Sequence, residues 1–131
     1  MTAVFLAAYL HASPMLVKAV FDAGGIDSCA LVSCESQWNE YAWRREPRGY
    51  TSYGIFQLDS EFHPQYRDDL LMHIVTGVEF LNECKAKTHT LARAVELYNG
   101  SYAWGVVVER KRDELVRWLR WRWIREQEVA N

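Results

Sequence analysis

Cys34-Glu35-Ser36-Gln37-Trp38-Asn39 is the place where an apolar helical stretch runs into a polar loop. Tyr53-Gly54-Ile55-Phe56-Gln57-Leu58-Asp59 follows beyond that loop. Upstream of the first string, Ala30, Leu31, Cys34 and Trp38 step by three and four, the period of one helix face. Glu35 lies one residue off that stripe, at the rim of the buried face. A carboxyl placed there is partly desolvated yet reachable, which raises its pKa and lets it hold a proton near neutral pH. Such a group suits the donation of a proton to a leaving group, and the glycine-bearing string downstream reads as a substrate-binding turn opposite it.

Working outward, Ser13-Pro14 is a helix start, with Ser as N-cap and Pro in the first turn, and Gly24-Gly25 is a stop. Leu16, Val17, Val20 and Phe21 recur between them at helical spacing, and Asp27 or Ser28 is expected to cap the next helix. From Asn39 to Tyr53 periodicity vanishes, and Pro47, Gly49, Thr51 and Ser52 predict a loop. Tyr53 to Leu58 then reads as a short strand or the floor of a small hairpin. Arg67 to Lys87 carries Leu70, Leu71, Ile74, Val75, Val78, Leu81 and Cys84, an amphipathic helix. Thr90 caps another through Leu91, Ala94, Val95 and Tyr98, which Asn99-Gly100 ends. The last segment, Val107 to Glu128, predicts a long helix with Leu115, Val116, Trp118, Leu119 and Trp123 on one face. Its arginines fit either stems that cover the flanks of a core-packed helix or a face turned to a membrane or partner.

Composition narrows the classes. The 131 residues, 50% of them hydrophobic, fit one domain with a single core and no linker. A formal charge of -2 without a block of like charges argues against nucleic acid as a partner. Aromatic content of 14% supplies core residues and, among them, platforms for sugar rings. No apolar run approaches the roughly eighteen residues of a membrane span. Residues 1–12 form at most a weak export segment or its remnant, because a basic leader and a small-residue cleavage site are missing. Cys29, Cys34 and Cys84 allow one disulfide and a free thiol. Cys29 and Cys34 on one helix would sit about 7.5 Å apart, too far to bridge, so a bridge would use Cys84; three buried thiols acting as small hydrophobes is the simpler reading. His11, His63, His73 and His89 are too scattered for a zinc site, and no metal or other cofactor is expected.

Three motifs occur in order: Glu35-Ser36 closing a helix, Gly54-Ile55-Phe56-Gln57, and Tyr98-Asn99-Gly100 at a helix end. Together they resemble the lytic transglycosylase and goose-type lysozyme families of the lysozyme-like superfamily, over roughly residues 26 to 105. Phe56 stands where those families carry Met, Gly100 comes one residue early, and the stretch YGIFQLDSEFHP over 53–64 is similar to the goose-type segment. The resemblance implies a mainly α, α+β lysozyme-like fold, in which a helical domain and a small β-hairpin region line a saccharide cleft. It implies cleavage of the β-1,4 bond between N-acetylmuramic acid and N-acetylglucosamine in peptidoglycan, in the periplasm or outside the cell. A monomer is expected, serving wall-opening machinery such as a secretion apparatus, a flagellum or a phage assembly. Glu35 takes the catalytic place; Ser36, Ser52, Tyr53, Phe56, Gln57, Tyr98 and Asn99 fall at substrate-binding places, with Tyr98 beside the Glu35 carboxyl.

A glycosidic oxygen leaves poorly, so its cleavage needs a proton donor and, in the usual scheme, a second carboxylate. Between Glu40 and Tyr53 the only acid is Glu46, flanked by Arg44, Arg45 and Arg48, and Ser52 stands where animal-type lysozymes carry Asp. A single-acid course is therefore expected. The C6 hydroxyl of the muramic acid attacks its own anomeric carbon, helped by the acetamido oxygen, while Glu35 gives and then takes a proton; a 1,6-anhydro sugar results. The alternatives are a hydrolysing lysozyme that uses Glu46 and a glycan-binding module without activity.

Overall fold

Leu16, Val17 and Val20, spaced for one helical face, are all buried. In the computed structural model, which describes residues 2–130, they belong to helix α2 (Pro14–Glu35), whose start Ser13 caps by accepting from the Leu16 N–H. As expected, Gly24-Gly25 interrupts the helix, and α2 is two helical stretches joined by a kink at Gly25. Gly25 takes φ 71° and ψ -162°, a backbone that a residue with a Cβ resists, and the helix resumes directly. A second helical stretch does begin there, but its only non-helical flanking residue is Gly25, so Asp27 and Ser28 lie within its first turn and not at its cap; the Asp27 carboxylate pairs instead with Lys85 at 2.7 Å and Arg112 at 3.4 Å. Ser28 is buried in the same stretch, with Val78 nearby on the far side of Gly24.

The first segment is a core element. Helix α1 (Thr2–Leu10) buries Ala3, Leu6 and Ala7, so residues 1–12, expected as a weak export segment, pack into the molecule over their described part. Between α2 and the next helix the loop expected over 39–53 contains two short strands, β1 (Trp43–Arg45) and β2 (Thr51–Tyr53), and the stretch expected as a strand or hairpin floor over 53–58 is a turn that leads into β3 (Leu58–Asp59). They pair antiparallel in the order β1-β2-β3, with Arg44 opposite Ser52 and Ser52 opposite Asp59. Strands of two and three residues are too short to show alternation, and β1 is exposed throughout.

Helix α3 (Leu70–Ala86) falls inside the expected span and starts where Asp69 accepts from the Met72 N–H at 3.1 Å. Its buried face runs through His73, Ile74, Gly77, Val78, Leu81 and Cys84, while Leu70 and Leu71, expected on that face, are exposed. Helix α4 (Leu91–Asn99) begins at the Thr90 cap and ends at Gly100, with φ 85°, as expected. Helix α5 (Tyr102–Ala130) starts five residues before its expected boundary, because the Ser101 hydroxyl accepts from the Trp104 N–H at 3.1 Å and opens the helix there. Leu115 is buried and Trp118 stacks on Tyr9 of α1 at 5.0 Å, but Trp123, expected on the packed face, is exposed.

The chain is thus mainly helical with a small three-stranded antiparallel sheet. One core draws on every helix and on Ile55, Phe56 and Leu58 of the sheet region. The three cysteines are free thiols; Cys29 and Cys84 are buried and Cys34 half-buried.

Candidate active site

The end of α2 is set by two consecutive left-handed residues, Gln37 at φ 51° and Trp38 at φ 65°. Trp38 folds back to donate its indole N–H to the Ser33 hydroxyl at 2.9 Å, and the Ser36 hydroxyl donates to the Val32 carbonyl at 3.2 Å. These contacts finish the helix one residue after Glu35 and leave its carboxyl at the edge of the core. Asn99 Nδ2, at the end of α4, donates to Glu35 Oε1 at 3.0 Å, and Trp104 Nε1, in the first turn of α5, donates to the same oxygen at 2.9 Å. Oε2 has no protein partner among the described residues.

Burial raises the Glu35 pKa above the ordinary carboxylate value, and this outweighs the opposing bonds from Asn99 and Trp104 and the charge of Arg44; the negative charge of Glu46 adds to the rise. The partial negative charge at the C-terminal end of α2 acts in the same direction. The carboxyl is both oriented and inclined to keep its proton.

Across from it stands the turn between β2 and β3. Gly54, at φ 81°, lies so close to the His73 imidazole that a Cβ would collide with the ring. Phe56 is fully buried, and both of its backbone groups are taken by side chains: its N–H donates to His73 Nε2 at 3.1 Å, and its carbonyl accepts from the Tyr98 hydroxyl at 2.5 Å. His73 accepts there as a neutral imidazole, its pKa lowered to about 4 by burial. Gln57, at φ 48°, donates from Nε2 to the Ala42 and Gly54 carbonyls at 3.1 and 2.8 Å, which leaves Oε1 as its outward acceptor.

A cavity of about 770 Å³ lies between the turn and the helix end. Glu35, Ser52, Gln57, Tyr98 and Asn99 line it, so the structure brings together five of the residues singled out from sequence. The other three point elsewhere. The Ser36 hydroxyl is buried against its own helix. The Phe56 ring is core. Tyr53 alternates to the opposite face of β2 from Ser52 and borders a separate cavity of about 300 Å³, with the Arg67 guanidinium over its ring at 4.9 Å. Tyr98 bonds to Phe56, not to Glu35, and the carboxyl is held by Asn99 and Trp104 instead. Asn99 also accepts the Ser101 N–H at 3.0 Å, joining the helix end to the site. Trp104 has no counterpart among the residues picked from sequence; its signal was the Ser101 cap, which places it one turn from Asn99.

Glu46, at the tip of the β1–β2 hairpin, lines the same cavity. Its Oε1 accepts the Ser52 hydroxyl at 2.6 Å and Arg44 Nη2 at 3.0 Å. The Ser52 bond, and after it Arg44, lower its pKa despite partial burial. Two carboxyl groups with opposite shifts therefore share one cavity, a pattern that suits one as acid and the other as anion. Phe80 forms an apolar wall between His63, at 4.3 Å, and Tyr98, at 4.8 Å, which suits the apolar face of a ring. Compared with protein families, with curated proteins and with solved structures, the chain finds no match.

Proposed function

We propose that this chain is a peptidoglycan lytic transglycosylase of lysozyme-like fold, with the cavity as its saccharide cleft and Glu35 as sole acid and base. The observation that carries the reading is the Glu35 carboxyl itself, half-buried, raised in pKa, held at one oxygen by Asn99 and Trp104 and free at the other. The free oxygen protonates the glycosidic oxygen between N-acetylmuramic acid and N-acetylglucosamine. As the bond breaks, the muramic C6 hydroxyl adds to the anomeric carbon and returns its proton to the same carboxylate. One proton leaves Glu35 and one comes back, the leaving sugar gains a free hydroxyl, and no water enters. Gln57 Oε1 accepts a substrate hydroxyl or amide, and Phe80 and Tyr98 border the ring. Glu46, bonded to Ser52 and Arg44, is a weakened base for activating water, which favours the internal attack. Glycan strands of the wall are the partner, and the periplasm or cell exterior is where they are met.

A second reading rests on the same Glu46. Its lowered pKa keeps it ionised opposite a protonated Glu35, the arrangement a hydrolysing lysozyme uses to stabilise an oxocarbenium-like transition state or to form a covalent intermediate. Digestion of purified sacculi followed by mass spectrometry separates the two. Transglycosylation leaves 1,6-anhydro ends, and hydrolysis leaves reducing ends heavier by one water. Saccharide binding without either product would mean a glycan-binding module.

A further inference from the structure

Far from the cleft, α5 ends in a surface of different character. Between Val116 and Arg125 the chain carries four arginines and no acid, although the whole protein has a formal charge of -2. Trp121, Trp123 and Ile124 are 53%, 62% and 50% exposed there. Trp123 and Ile124 border an open apolar depression of about 710 Å³ whose other walls are Phe21 and Ile26 of α2 and Leu119 of α5. At about 100° per residue, Arg117 and Arg120 fall on the same side of the helix as Ile124, so cations rim the apolar floor. Arg120 and Arg117 form no ion pair among the described residues. The nearby acids are already matched: Asp22 by Lys18, Asp113 by Arg112, Glu114 by Lys111, Glu126 by Arg122 and Glu128 by Arg125.

We infer that this face of α5 and α2 docks onto an anionic lipid bilayer surface. Tryptophan and isoleucine insert at headgroup depth, where an amphipathic indole is favoured, and unpaired arginines meet lipid phosphates. Charge selects this occupant over a second copy of the chain. A two-fold interface would place Arg117 and Arg120 of both copies along one seam without carboxylates to answer them. No helix among the described residues is long and apolar enough to cross a membrane, so the contact is peripheral. Trp123 stands about 28 Å along α5 from Trp104 at about 1.5 Å per residue, so docking at one end leaves the cleft at the other end open.

The test is co-sedimentation of the full chain with phosphatidylcholine vesicles with and without phosphatidylglycerol, at low and high salt. Binding to the anionic vesicles alone, weakened by salt, is expected. Replacing both Arg117→Gln and Arg120→Gln should lower partitioning about 30-fold, the order expected of two arginines at an anionic surface. W123S with I124S should lower it comparably while circular dichroism stays that of the parent. Equal binding to neutral vesicles, no binding, or variants that bind like the parent would overturn the inference. So would a dimer in light scattering that W123S dissolves. Because vesicle binding is read without glycan, its failure and the failure of the cleavage reading are separate results.

Discussion

The Trp104 indole N–H reaches Glu35 Oε1 at 2.9 Å across 69 positions of sequence, so the first turn of α5 holds the carboxyl that ends α2. This bond favours the ionised form, and burial opposes it. Trp104→Phe removes the bond and keeps most of the apolar bulk. The Glu35 pKa then rises further. Under the proposed cleavage the acid works when protonated and activity fades as pH rises through its pKa, so the alkaline limb of the pH–rate profile should move upward, while the rate at its optimum falls about tenfold from lost orientation. A profile unmoved on the alkaline side would show that this limb does not report Glu35.

Glu35→Gln keeps the shape of the side chain and removes the proton. Muropeptide release from sacculi should fall about 10²–10⁴-fold, the usual worth of a general acid, with thermal unfolding and chito-oligosaccharide binding near those of the parent. Retained cleavage in this variant would remove Glu35 from the chemistry.

Glu46→Gln separates the two courses. Internal attack predicts anhydro products and a rate within about tenfold of the parent, whereas a hydrolase loses most of its activity, on the order of 10²-fold or more. Ser52→Ala is the milder companion: without the hydroxyl that lowers it most, the Glu46 pKa should rise, and carboxylate titration by NMR would register it.

How much of this was legible beforehand differs between the helices and the sheet. Helix starts announced themselves because Ser13 and Thr90 are capping residues followed by apolar repeats, and both caps form. Glu35 was legible for the same reason: one residue off a helical stripe is a place that periodicity defines. The sheet was hidden because Trp43-Arg44-Arg45 has no alternation, being exposed on every residue. Phe56 and Ser36 were misplaced because a motif shows which residue types recur, not which way they face; the Phe56 ring packs under Gly77 while its backbone does the positioning. Trp104 was missed because its partner, Glu35, lies on another helix, and only the packing of α5 against α2 brings the two together.

His73 makes stability depend on pH. In the folded chain its pKa is lowered to about 4 from an ordinary 6.5, so the unfolded chain takes up the proton first. Above pH 6.5 the group costs nothing; as pH falls from 6.5 towards about 4 the unfolded state gains, by about 3 kcal/mol in the limit. Urea midpoints should fall across that window. In His73→Gln, which still offers an acceptor to the Phe56 N–H, that part of the slope should vanish.

Gly77 lies against the Phe56 ring so closely that a Cβ would strike it. Gly77→Ala should cost about 1–3 kcal/mol through overpacking, seen as a melting point lower by several degrees. The displaced ring would carry the Gln57 turn with it, so the rate should fall more than the stability loss alone accounts for. A variant as stable and active as the parent would mean that the ring has room to retreat.

With its amide fastened to α3 and its carbonyl fastened to α4, Phe56 anchors the floor of the cavity independently of the strands above it. The hairpin tip between Glu46 and Thr51 contributes neither of these bonds. Loops of other lengths or charges set there should change the rim of the cavity while Gln57 and Glu35 keep their registration.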